Sequence, residues 1–322
     1  MEQVIGVFAP IFCITLLGYG CGRLNLLGEA GPKILSRFVF FVSMPPLIFI
    51  TLAKRQVSEI ANWGYLSSYF LSILIGAVVF FLIARLFFKE SGANLALGIF
   101  ASINGNAGYL GIPICLFAFG SPLPAILATI IHMVCVYPIL MTWIEIDLAK
   151  KSGAPITSIT AKVGHIFIVV LKNPLLMATM LGVLAVITGL KLPEWSSKTL
   201  TLLGHGAIPI AIFALGLTLS EKGADTKGAD RLEIAASCII KLFLIPSLAF
   251  GFGHFVFHLD KHTLAALVFV AALPSPKNAL ILAQSYGVYI RRAALTVMTT
   301  TIAAAITLPI ILYAFGELSV SP

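Results

Sequence analysis

The chain has 322 residues, 59% of them hydrophobic and 11% charged, with a mean hydropathy of +1.03. Such a composition excludes a soluble globular domain and marks an integral membrane protein. A formal net charge of +8 raises the question of a nucleic-acid partner, but the positions of the basic residues explain it as membrane topology, and no nucleic acid is expected.

Apolar runs long enough to cross a bilayer, at about 20 residues each, occur at 4–22, 34–52, 63–87, 95–119 and 123–147, and again at 165–189, 199–220, 233–257, 262–288 and 293–315. The first exceeds the apolar stretch of a secretory signal and has no small-residue cleavage site after it, so it is read as a retained helix. With the amino terminus outside, the cytoplasmic loops carry thirteen basic residues: Arg23, Lys33, Arg37, Arg85, Lys89, Lys150, Lys151, Lys162, Lys222, Lys227, Arg231, Arg291 and Arg292. The outside loops carry five: Lys54, Arg55, Lys191, Lys198 and Lys261. This positive-inside bias places both termini outside the cytoplasm. The five cysteines (Cys13, Cys21, Cys115, Cys135 and Cys238) fall within or at the ends of spans without metal-type spacing. They read as packing residues, and neither a metal nor another cofactor is expected.

Ten spans divide into two fives. An offset of 164 carries Pro10 to Pro174, Thr15 to Thr179, Gly18 to Gly182, Pro45 to Pro209 and Phe49 to Phe213. Because each half has an odd number of spans, the second copy enters from the opposite side, an inverted repeat of the kind secondary transporters use. The expected fold is therefore all-α, ten transmembrane helices in two inverted five-helix repeats, residues 1–155 and 156–322.

The fourth span of each half holds its poorest helix-forming stretch. One reads ASINGNAGYLGIP from Ala101 to Pro113, and the other reads AALPSPKNAL from Ala271 to Leu280. Glycine and proline forfeit helix propensity, and proline also removes an amide donor. In lipid each unsatisfied backbone group would cost several kcal/mol, so unwound chain near the midplane survives only beside protein or a water-filled cavity. If the two breaks cross, four half-helix ends meet, each with about half an elementary charge. That arrangement suits a small polar or anionic solute.

At these residues the sequence resembles the auxin efflux carrier family, which includes the plant PIN carriers and many bacterial permeases. The motifs are NAGYLGIP at 106–113, KNPLLMATMLG at 172–182 and LPSPKNALILAQSYGV at 273–288. The resemblance implies an inverted repeat of the sodium/proton-antiporter and bile-acid-transporter type, with helices 1, 2, 6 and 7 as scaffold. Helices 3–5 and 8–10 would form a transport domain that moves like an elevator, helices 4 and 9 would cross, and homodimerisation would run through the scaffold. Two departures matter: the plant carriers have proline where this chain has Gly105, and they lack a lysine at Lys277. The long cytoplasmic loop of many plant members is missing as well. Bacterial members, associated with small carboxylates such as malate and malonate, are the nearer match, which implies a bacterial inner membrane.

The expected substrate-binding residues are Asn104, Gly105, Asn106 and Gly108 in the first break and Pro274, Ser275, Lys277 and Asn278 in the second. A cation at the bilayer centre is unfavourable by roughly 2.5–3.5 kcal/mol on insertion scales, and no Asp or Glu lies in the core of any predicted span. A substrate carboxylate would be the partner of Lys277; the alternative is a neutral lysine or a strut on a helix carboxyl end. Lys241, about two turns from the cytoplasmic end of its span, is expected to snorkel. Proton coupling would need Lys277 or a histidine such as His132 or His205. Sodium bound by carbonyls and Asn or Ser oxygens remains open, as does passive uniport. No nucleophile with a base, paired carboxylates or metal-ligand motif occurs, so no catalytic residue and no enzyme is expected. The expected function is a secondary active or facilitative carrier of small organic anions, with an anion channel or an auxin-like aromatic carboxylate carrier as alternatives.

Overall fold

Proline accompanies most of the irregular turns in the helices of this chain, while Pro10, Pro209 and Pro309 lie inside uninterrupted helices. The computed structural model describes residues 2–152, 172–190, 192–220 and 231–316, and no strand occurs among the described residues. The helices are α1 (Glu2–Arg23), α2 (Gly31–Ala53), α3 (Trp63–Leu86), α4 (Gly92–Ile103), α5 (Ile112–Phe119), α6 (Leu123–Lys151), α7 (Pro174–Ile187), α8 (Glu194–Leu219), α9 (Arg231–Val256), α10 (Lys261–Ala271), α11 (Lys277–Tyr286) and α12 (Ile290–Phe315). Every predicted span overlaps one or two of them, but residues 165–171 of the sixth lie outside the described residues, as do Lys162, Lys191, Lys222 and Lys227. Seven stretches among the described residues are long and apolar enough to cross a membrane: α2, Val57–Leu86, Gly92–Phe119, α6, Glu194–Thr218, α9 and α12. α7 and α10 are apolar but shorter.

Five π-helical turns punctuate these helices, at Val39–Ser43, Ala107–Gly111, His132–Val136, Ile240–Leu244 and Phe252–Val256. The first four are each followed two residues later by a proline: Pro45, Pro113, Pro138 and Pro246. Proline lacks a donor and its ring clashes with the carbonyl four residues back. One extra residue in the turn moves that carbonyl aside, so the helix bends and continues. The segment 272–276 is different. Proline disfavours the α region for the residue before it, so Pro274 and Pro276 together keep Leu273 and Ser275 out of a helix. Pro276 itself is extended, at φ −79° and ψ 149°. In the fourth span Asn104 turns extended, at φ −77° and ψ 130°, and the chain becomes helical again only at Ala107.

Two packed groups result. α1 lies along α8, α7 along α2, and α2 against α8. α4 packs on α3 and α6, α9 on α3, α10 and α12, and α11 on α12. Small residues allow the first group its close approach: a Cβ on Gly18 of α1 would overlap Phe213 O of α8, and one on Gly216 of α8 would overlap Thr15 O. On the other pair, a Cβ on Gly182 of α7 would lie 2.8 Å from Leu52 Cβ and 3.3 Å from Phe49 O of α2. The contacts Gly18 to Phe213 and Gly182 to Phe49 exchange under the offset of 164 residues.

At its Arg- and Lys-rich end the second group is tied by charge. Arg292 Nη1 lies 2.6 Å from Glu90 Oε1 and 2.8 Å from Glu233 Oε2, while Tyr289 OH donates to Glu233 Oε1 at 2.8 Å. Glu233 is fully buried. Asp147, near the end of α6, accepts from Ala93 N at 2.8 Å and so places a carboxylate at the positive end of α4.

Candidate functional site

A helix that stops inside a protein leaves its last carbonyls without partners, and the two broken spans solve this with side chains from each other's neighbourhood. Asn106 N donates to Pro274 O at 2.8 Å, which joins the breaks directly. Ser275 Oγ donates to Ala101 O in the last turn of α4 at 2.6 Å, and Ser275 N donates to Thr300 Oγ1 of α12 at 3.1 Å. At the carboxyl end of α10, Ala271 O accepts from Lys241 Nζ at 2.9 Å.

Beside this junction lies a cavity with about 380 Å³ of empty space, part of it open to solvent. Asn104, Gly105, Asn106, Gly108 and Tyr109 line it from the first break, and Pro276 and Asn278 from the second. Thr129, His132, Met133 and Tyr137 close it from α6, with Phe40 of α2 and Leu175 of α7 facing them from the other packed group. The cavity therefore lies where the two groups meet. Phe40 and Tyr109 stack across that boundary, ring centroids 6.0 Å apart and planes 12° apart.

Tyr137 is the centre of its polar chemistry. Asn278 Nδ2 of the second break donates to the Tyr137 hydroxyl at 3.1 Å. A hydroxyl has two acceptor lone pairs and one proton; with Asn278 donating, the Tyr137 proton remains for an acceptor, and Tyr137 lines the cavity. Phe100 fixes the ring edge-on at 4.9 Å between centroids. Asn104 is 1% exposed, and its Oδ1 has no hydrogen-bond partner among the described residues. A buried acceptor left unmade costs about 1–3 kcal/mol, so this atom calls for a ligand or water. On the far wall, His132 Nε2 and the Tyr69 hydroxyl are 3.2 Å apart.

Of the eight residues expected from sequence, Asn104, Gly105, Asn106, Gly108 and Asn278 line the cavity. Pro274 and Ser275 are buried behind it and hold the crossing together. Lys277 opens α11, is half-buried, and donates from Nζ to Thr218 Oγ1 of α8 at 3.2 Å, outside the cavity lining. His205 is exposed on α8. Tyr137, Thr129 and Tyr109 carried no sequence signal of their own beyond falling in or beside a span with a proline-linked bend. The snorkelling expected of Lys241 is corrected: the side chain is fully buried with Nζ on Ala271 O. The packing around α9 encloses it, so its stem does not run along a lipid-facing surface to an interface.

Comparison with known proteins adds a family. Residues 3–312 match the family described as "Membrane transport protein". The chain is 26% identical to "Uncharacterized transporter YfdV" of Escherichia coli, over 96% of each chain. It is also 26% identical to "Putative malonate transporter" of Rhizobium meliloti, over 97% of this chain and 96% of that one. "Auxin efflux carrier component 8" of Arabidopsis thaliana is 22% identical, over 89% and 90% respectively.

Proposed function

We infer that this chain, which belongs to the membrane transport protein family, carries small mono- or dicarboxylates across the membrane by alternating access. The observation that carries the reading is the Tyr137 hydroxyl. It accepts from Asn278 Nδ2 and so keeps its proton for another acceptor, and Asn104, whose Oδ1 has no hydrogen-bond partner among the described residues, lines the same cavity. A carboxylate oxygen would take that proton, and the amide hydrogens and first-turn N–H groups of α11 favour negative charge at the same place. A protonated carboxyl or a bridging water would satisfy Asn104 Oδ1. The name of the Rhizobium meliloti relative is in keeping with malonate as the first cargo to try.

The cavity's position between the two packed groups supports the division of labour: α1, α2, α7 and α8 as scaffold, and the helices bearing the crossing as the moving part. The exchanged contacts Gly18 to Phe213 and Gly182 to Phe49 support ten membrane-spanning segments in two inverted repeats. The basic-residue bias supports a multi-pass inner-membrane protein with both termini outside. A homodimer through the scaffold and coupling to sodium or protons complete the proposal.

The test is flux of labelled malonate into proteoliposomes. A carrier gives saturable uptake and counterflow against internal unlabelled malonate; large unitary currents without counterflow would establish a channel instead. Uptake should be measured with and without a sodium gradient and with and without a proton gradient, since these arms assign the coupling ion. Absence of any malonate or malate flux from active, monodisperse protein would defeat the carboxylate reading.

A further inference from the structure

Lys241 is the one fully buried basic side chain among the described residues whose sequence position gave no hint of function. Its ammonium donates to Ala271 O, the terminal carbonyl region of α10, and no carboxylate lies within ion-pair distance of it among the described residues. One carbonyl accounts for one of three N–H donors. A charge taken out of water is retained only when paired or richly hydrogen-bonded, so an anion brought near Lys241 would favour its ammonium form.

The place where one could sit is next door. A Cβ built on Gly105 would lie 3.4 Å from Lys241 Nζ and 3.5 Å from the Tyr69 hydroxyl, and Gly105 itself lines the cavity. Gly105, which has no side chain, thus adjoins both the ammonium and the cavity. Tyr69 extends the polar wall to His132, which also lines the cavity. Lys277, by contrast, reaches away to Thr218 on α8 and does not line it.

We propose that the ammonium of Lys241, seated behind Gly105 at the break of the fourth span, is the fixed positive charge that makes the cavity prefer carboxylates over uncharged solutes of the same shape. Lys241 acts through space on the cargo and is a positioning charge for it, with Tyr137 as the direct donor. The proposal rests on the carboxylate reading above.

The experiment measures binding of malonate and of its neutral diamide, malonamide, to purified full-length protein by calorimetry. The readout is the ratio of the two affinities, because damage to the fold weakens both ligands whereas loss of a charge collapses the preference. Wild type should prefer malonate at least about tenfold. Lys241→Met should bring the ratio close to one, with Lys241→Arg keeping most of it. Lys277→Met supplies the arm that does not depend on Lys241 variants folding: it should retain the larger share of the preference, and its loss there would overturn the assignment. A folded Lys241→Met with the wild-type ratio overturns it too. Wild type that binds neither ligand sinks the carboxylate reading, which separates that failure from this one.

Discussion

Replacing Ser275 with alanine probes the crossing itself. Ser275 Oγ donates at 2.6 Å to Ala101 O, a carbonyl in the last turn of α4, whose helix does not continue past Ile103. Truncation leaves that acceptor buried and unpaired, which costs about 1–3 kcal/mol in a soluble protein. Hydrogen bonds between membrane helices average only about 0.6 kcal/mol, with a maximum near 1.7, because chains unfolded within lipid find other partners. Here the unfolded fourth span can rewind and satisfy Ala101 O from its own backbone, which argues for the lower figure. The folded state offers no substitute, which argues for the upper. The expected loss is about 1 kcal/mol, or roughly fivefold in the ratio of folded to unfolded protein, by equilibrium unfolding in mixed micelles with increasing anionic detergent. Ser285→Ala is the control, since its hydroxyl donates within its own helix to Ile281 O and is exposed; it should stay within about 0.5 kcal/mol of wild type. If Ser275→Ala costs no more than the control, the account of side chains completing the interrupted helices is wrong.

Three further outcomes follow from the same geometry. Tyr137→Phe keeps the edge-on contact with Phe100 and removes the hydroxyl proton; malonate affinity should fall about tenfold or more, measured by calorimetry on folded protein. Arg292→Met removes the guanidinium beside the fully buried Glu233 and should cost about 3 kcal/mol in unfolding experiments, partly recovered when Glu233→Gln is added, as a double-mutant cycle will show. Gly216→Ala forces a methyl group onto Thr15 O and should destabilise the α1–α8 contact by about 1–3 kcal/mol, whereas Gly251→Ala, with nothing within 4 Å of the added carbon, should be neutral or stabilising.

The helices and the breaks were legible because their causes are local. Apolar runs must be helical in lipid, where each backbone group needs a partner within the segment. The steric demands of Pro274 and Pro276 act on the adjacent residue, and Asn104, Gly105 and Asn106 offer little to hold a helix together. Glycine pairing at one offset pointed to Gly18 and Gly182 for a similar reason: close helix contact requires the absence of a side chain at a definite residue. The cavity's other wall was not legible. Tyr137 read as an ordinary span residue and His132 only as a histidine that could carry a proton, and packing of α6 against α4 is what places them beside the breaks. Hydropathy records how deep a lysine lies along the chain but carries no information about which neighbour its ammonium reaches, Thr218 Oγ1 for Lys277 and Ala271 O for Lys241. The sequence by itself determined where the backbone had to stop being helical. The tertiary structure alone decided which side chains meet there, because direction around a helix axis and contact between distant segments are set by packing, a property of the whole chain.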